Sequence, residues 1–394
     1  MLFINRLMKS KLSLVILILS FFTACKKDSP SPPISPENID LSVGESKYII
    51  VASSNRDTLG RLIGALTAYN PDMSVKWSKN YWVEQPDHLL YSKGLLFISE
   101  VSGPVKALDI ETGNEVWRYG SENSFYSGFC LQGDTLYIVS GSTYRLHVLN
   151  AKTGTALWTL SSDFIYTTPA IIGNTLMVQA LPKVTLGAFY IKGIDISTHT
   201  EKWSIPASGW GPGALTRSDS LFYATSGGRD KFWAIDTSGT VRWSKTGTYV
   251  VTPIYDNGVL YSSFMEGLSA LDPVMGYTKW FYKPLYGWGG SGAAINNGKL
   301  YVVRSNMSDL VFDTRSGQII RETPTPYYYK YNVVVSNDML VRLRTAYENK
   351  FDYNLVEIIN PETGELKDSV KIVGERIGPV SILTKSGKWL NSNN

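Results

Sequence analysis

From about residue 47 onward, short apolar runs alternate with small polar turns. No stretch there keeps a long 3.6-residue period, so the pattern predicts strands and not helices. The turns recur as pairs: Lys93-Gly94, Gly133-Asp134, Gly173-Asn174, Ser218-Asp219, Asn257-Gly258, Asn297-Gly298, Asn337-Asp338 and Ser386-Gly387. Gly, Asn and Asp tolerate the positive φ that two-residue hairpin turns need. The run after each turn is rich in β-formers, as in Leu136-Tyr137-Ile138-Val139 and Leu300-Tyr301-Val302-Val303.

A second signal accompanies each hairpin. Ala107-Leu108-Asp109-Ile110-Glu111-Thr112-Gly113-Asn114-Glu115-Val116-Trp117 reads as strand, turn and strand ending in Trp. Copies occupy 147–158, 193–203, 234–243 and 270–280, and 68–77 is a shortened one. Those at 311–321 and 358–368 keep the Asp or Asn and the Gly but lose the Trp. The Asp is explained by the turn, where its side chain can accept from nearby backbone N–H groups. Each unit therefore holds four antiparallel strands, called a to d from the inside out. Eight such units about 40 residues apart predict an all-β fold, an eight-bladed β-propeller of four-stranded antiparallel blades.

The pattern Ala-x-Asp-x-x-Thr-Gly-x-x-x-Trp resembles the PQQ-type propeller repeat, and the chain resembles the BamB-like lipoproteins that carry it. The resemblance implies a structural docking belt in which each Trp packs between its own blade and the next. Here that belt would be Trp77, Trp117, Trp158, Trp203, Trp243 and Trp280. A large flat apolar ring at one fixed place per blade suits that task. The copies ending at Arg321 and Asp368 lack the ring, so their junctions are expected to be the weaker ones.

The ring must also close. The last turn, Ser386-Gly387, has a strand before it and almost nothing after it, and the first motif lacks a clear strand a. A shared blade solves both, with 379–385 as its inner strand and 48–77 as the other three. Residues 39–43 are the alternative inner strand.

Upstream of the repeats the composition changes. Arg6, Lys9 and Lys11 precede an apolar stretch over 12–22, which is short for a membrane span and ends in Thr23-Ala24-Cys25. This resembles a bacterial lipobox, with Phe22 where Leu is usual, and it makes Cys25 the expected lipidation site. Lys26-Lys27-Asp28 resembles the charged start of Bacteroidetes-like lipoproteins. The Pro/Ser run over 29–36 reads as a tether. The expected organisation is a signal peptide over 1–24, lipidated Cys and tether over 25–40, and the propeller over 41–394. The protein is expected to be exported, on the outer membrane, facing the periplasm or the cell surface.

The formal charge of +4 falls to about +1 once Arg6, Lys9 and Lys11 are removed, which leaves no electrostatic footprint for nucleic acid. Cys130 then has no partner thiol and reads as a small buried residue in a strand. His88, His147 and His199 lie without metal-ligand spacing, so no metal is expected. No nucleophile elbow, phosphate loop or dinucleotide fingerprint is present. Quinoprotein dehydrogenases share the repeat, and the resemblance implies for them adjacent cysteines and acidic Ca²⁺ ligands. The Cys-Cys pair is absent here, so a PQQ-dependent dehydrogenase is the minor alternative; no catalytic residue and no cofactor are assigned.

The best binding candidates are aromatic. The d-to-a crossings carry Trp82, Tyr126, Tyr166, Trp210, Tyr249, Trp288 and Tyr328 at similar places, with Arg376 in the eighth. They form either a binding collar for sugars, a planar ligand or a peptide, or a plug over the inner strands. The expected function is a non-enzymatic envelope scaffold that binds other envelope proteins, as in BamB-like outer-membrane protein assembly. The alternative is a binder of glycans or small molecules through the collar.

Overall fold

The computed structural model describes residues 43–391 apart from short segments at 57–58, 60–61, 82–85, 101–102, 122–125, 141–142, 162–163, 166, 183–187, 209–210, 227–230, 248–251, 265, 285–289, 305–307, 325–331, 349–350 and 373–375. These residues form eight antiparallel sheets and no helix. Each sheet is one blade of a β-propeller. Blades 1 to 7 span 86–119, 126–161, 164–208, 212–246, 254–282, 290–324 and 333–372 in chain order.

Blade 8 is shared between the two ends of the described chain. Its strands run, from rim to centre, Val75–Tyr81, Leu62–Tyr69, Ser46–Arg56, Arg376–Thr384 and Trp389–Asn391. The shared closure therefore has the expected composition, plus a short fifth strand inside it. Val43 lies outside any strand, and the rest of the alternative 39–43 segment lies outside the described residues.

Alternation explains the burial. In a strand successive side chains point to opposite faces. In Ser46–Arg56, Ile49 and Val51 pack with Val341, Val356 and Val380 on the blade 7 side. Ile50 and Ala52 pack with Leu96 and Ile98 on the blade 1 side. The same logic gives each of the eight seams its own apolar cluster.

The a-b and c-d turns share one face of the disc. Ile110 N donates to Gly94 O at 3.0 Å, Ala151 N to Asp134 O at 2.8 Å and Thr314 N to Gly298 O at 3.0 Å. Because neighbouring strands run oppositely, the opposite ends of the strands lie towards the other face. Residues 43–46 are pinned to the turn face. Val43 N donates to Asn296 Oδ1 at 3.0 Å, Asn337 N to Gly44 O at 2.9 Å and Ser46 N to Asp338 Oδ1 at 2.8 Å.

Candidate functional site

Two places gather side chains that the fold alone does not need: the central channel and the seams between blades. The seams follow one rule in five copies. The indole N–H of Trp77 donates to Ile110 O at 2.9 Å, and Trp117 to Ala151 O at 3.0 Å. Trp203, Trp243 and Trp280 reach Thr237 O, Pro273 O and Thr314 O, each at 3.0 Å. Each acceptor lies in the c-d turn of the next blade. Below each ring sits that turn's glycine. Gly113 has φ +68°, and a Cβ on it would come within 2.7 Å of the Trp77 ring. Positive φ and ring contact together demand glycine there. Trp77 and Trp117 are buried, and Trp158, Trp203, Trp243 and Trp280 are half-buried.

The turn aspartates do what the repeat needs. Asp109 Oδ1 accepts from Thr112 N at 2.9 Å and from Thr112 Oγ1 at 2.8 Å. Seam 2/3 varies the rule. His199 stands where glycine is usual, with φ 60°, and Trp158 stacks on its ring at 4.1 Å. At seam 1/2 His147 bonds the Tyr119 hydroxyl at 3.0 Å through Nδ1, and burial lowers its pKa. Seam 7/8, after Asp368, has Met73 at φ 63° in the glycine place, buried beside Val341 and Ile358.

Seam 6/7 departs furthest. In seam 5/6 blade 5 presents the paired residues Ala270/Trp280 and Leu268/Tyr282, and blade 6 presents Leu300/Phe312 and Val302/Leu310. At the same register positions, seam 6/7 has Val311/Arg321 and Asp309/Thr323 facing Leu340/Ile359 and Arg342/Glu357. Five of these eight residues are polar or charged, where seam 5/6 has only apolar and aromatic ones. The charges pair: Arg342 holds Asp309 and, at 2.6 Å, Glu357, which also holds Arg344 at 2.6 Å. Burial pushes the Asp309 carboxyl up, and Arg342 opposes that. Arg321 takes the place of the missing indole, donating to Pro361 O at 3.2 Å and to Glu362 O at 2.6 Å. The junction read as weak for want of a ring is thus bridged by a guanidinium.

The central channel encloses about 1410 Å³ along the inner strands. Its wall is mixed, with His88, Cys130 and Arg217 beside Leu90, Ile172 and Tyr255. Cys130 is half-buried there, and desolvation raises its thiol pKa, so it is held as a neutral thiol. Of the collar, Trp82, Tyr166, Trp210, Tyr249, Trp288 and Tyr328 lie outside the described residues. Tyr126 and Arg376 begin inner strands of blades 2 and 8, and their side chains are outside the description. Cys25 also lies outside it. Among the described residues no group of three or more His, Cys, Asp or Glu is placed to hold a metal ion.

The eight antiparallel sheets, with a Trp ring seated over the next blade's turn glycine at five seams, define an eight-bladed β-propeller. Its likeness is to BamB: residues 101–205 match the family model described as outer membrane protein assembly factor BamB. The crystal structure of BamB from Moraxella catarrhalis is similar at 16% identity and TM-score 0.57, covering 77% of this chain and 95% of that one. The computationally designed Ika8 protein is similar at 14% identity and TM-score 0.58, covering 78% and 95%. A europium-containing methanol dehydrogenase is similar at 13% identity and TM-score 0.57, covering 78% and 81%. No curated protein matches the chain. An assembly factor, a designed protein and a dehydrogenase share this fold, so the likenesses establish architecture and leave function to the sites.

Proposed function

We propose that this protein is a non-enzymatic envelope lipoprotein whose propeller is a scaffold for other envelope proteins, in the manner of BamB. The observation that carries the reading is the BamB family match over 101–205.

Cross-linking in cells, followed by purification from solubilised outer membrane, should recover components of the β-barrel assembly machinery. Recovery of the protein free of them overturns the BamB-like role. The Cys25→Ala protein should leave the membrane fraction, and full membrane partition of a processed Cys25→Ala chain overturns the anchor. Protease access on intact cells separates a surface role from a periplasmic one.

The channel favours a second reading, the binding of a glycan or small molecule. A cavity of 1410 Å³ exceeds the usual range for drug-sized ligands, and the collar would ring its mouth. Changing Trp210 and Trp288 together to Ala should then abolish binding with modest loss of stability. Unfolding of that double variant would mark the rings as structural. The quinoprotein alternative rests on fold alone, and absorbance titration with PQQ and Ca²⁺ tests it.

A further inference from the structure

Seam 6/7 contains a cavity of about 180 Å³ that the ion pairs do not fill. Asp309, Thr323, Arg321, Arg342 and Glu357 line it, with Leu340, Ile359 and Leu366 as apolar wall. Two polar atoms there are buried and have no hydrogen-bond partner among the described residues: Asp309 Oδ1, an acceptor, and Arg321 Nε, a donor. A buried polar atom without a partner is costly, so such atoms call for a ligand or for water.

Their placement is set by the ladder. Val311 pairs with Arg321, and Asp309 lies two residues further on the same face. Diagonal neighbours of this kind are about 7–8 Å apart at the backbone. The charges do not balance either. Asp309 and Glu357 are matched by Arg342 and Arg344, and Arg304 by Glu322. Arg321 donates to backbone carbonyls and forms no ion pair with a carboxylate among the described residues.

We propose that this seam is a binding site for a small carboxylate that also carries a hydrogen-bond donor, a short hydroxy or amino acid. Arg321 takes the carboxylate, Asp309 Oδ1 accepts from the hydroxyl or ammonium, and the carbon chain lies against Leu340, Ile359 and Leu366. A cavity of this size holds about six waters, which is also the room needed by a four- or five-carbon acid. The site is distinct from the channel and independent of the scaffold role.

Calorimetric titration of the propeller with γ-hydroxybutyrate and γ-aminobutyrate tests the assignment. Saturable millimolar binding is expected, with butyrate (no donor) and butanol (no carboxylate) each weaker by about tenfold or more. Arg321→Gln and Asp309→Asn should each abolish it. Arg321→Trp, which rebuilds the ring of the other seams, should abolish it while raising the melting temperature, so loss of binding is separable from loss of fold. Arg217→Gln, in the channel wall, should leave it unchanged. Absence of saturable heat from both acids overturns the proposal and leaves a water-filled seam. So does binding that survives Arg321→Gln, fails with Arg217→Gln, or is equal for butyrate.

Discussion

Seams 5/6 and 6/7 lie on the two sides of one blade and share one register, yet they are built from opposite materials. The first is held by Trp280, Tyr282 and Phe312 packed on aliphatic residues. The second sets Arg342, Arg344, Glu357 and Asp309 into the same layer and bridges its rim with Arg321. The propeller tolerates the exchange because its geometry is specified by strand pairing and turns. What fills a seam is a separate choice, provided each buried charge finds a partner.

The largest effect expected from this contrast follows loss of Glu357. It is almost fully buried and holds two arginines, so Glu357→Ala leaves Arg342 with Asp309 alone, takes from Arg344 its ion pair with Glu357, and should cost about 3–5 kcal/mol in denaturant unfolding. Making seam 6/7 like its neighbour, with Asp309→Leu, Arg342→Val, Glu357→Leu and Arg344→Met together, should be neutral or stabilising by about 1–4 kcal/mol. Strong destabilisation by the apolar set would show that the ions specify the ring and do not merely fit it. Next come the two bridging groups. Trp280→Ala should cost about 3 kcal/mol, the low end for a large aromatic because the ring is half-buried. Arg321→Ala removes two hydrogen bonds to carbonyls and should cost about 1–2 kcal/mol. Equal losses would erase the distinction.

Acid separates ionic seams by sign. At seam 8/1 the bonds from Lys47, Tyr48 and Lys76 hold the Glu111 carboxyl down at about 2, against an ordinary 4.5. Its folded pKa lies below the unfolded one, so its stabilisation is complete above pH 4.5 and is lost as pH falls through about 2. The carboxylate is 46% exposed and screened, so the loss should be only about 1 kcal/mol and should vanish in Glu111→Gln. Asp309 is shifted the other way by burial, so its contribution falls as pH rises past 3.8. Stability against pH for Asp309→Asn should therefore differ from wild type with the opposite slope. The smallest effect belongs to His199→Gly, which relieves a positive φ and removes the stack under Trp158. These oppose each other, and a net change within about 1 kcal/mol is expected from a thermal melt.

Most of the architecture was legible because each repeat carries its own punctuation. The Asp, Gly and Trp of 109–117 mark turn, ring seat and ring, and the same spacing recurs down the chain. Closure was legible from a strand without a sequel before Ser386-Gly387. The short strand Trp389–Asn391 was missed because three residues carry no periodicity. Seam 6/7 was missed for a different reason. Asp309, Arg342 and Glu357 each look like ordinary charges in separate strands, and only the stacking of one blade on the next brings them together. A signal did exist. Aligned copy on copy, these positions are Leu268, Val302 and Leu310 one blade earlier, and a change from apolar to charged at matched positions of facing blades marks a rebuilt interface.

The shared blade also sets an order of assembly. Strand Ser46–Arg56 emerges before any other described strand, but one of its two neighbours in the sheet, Arg376–Thr384, emerges after all seven remaining blades. Until then its hydrogen-bonding edge, with Ile49, Val51 and their blade 7 contacts, has no native cover. A contact this distant in sequence makes closure slow and leaves a sticky edge on the unfinished ring. Anything that shields this bare β-edge until the last strand arrives should therefore raise the yield of closed rings.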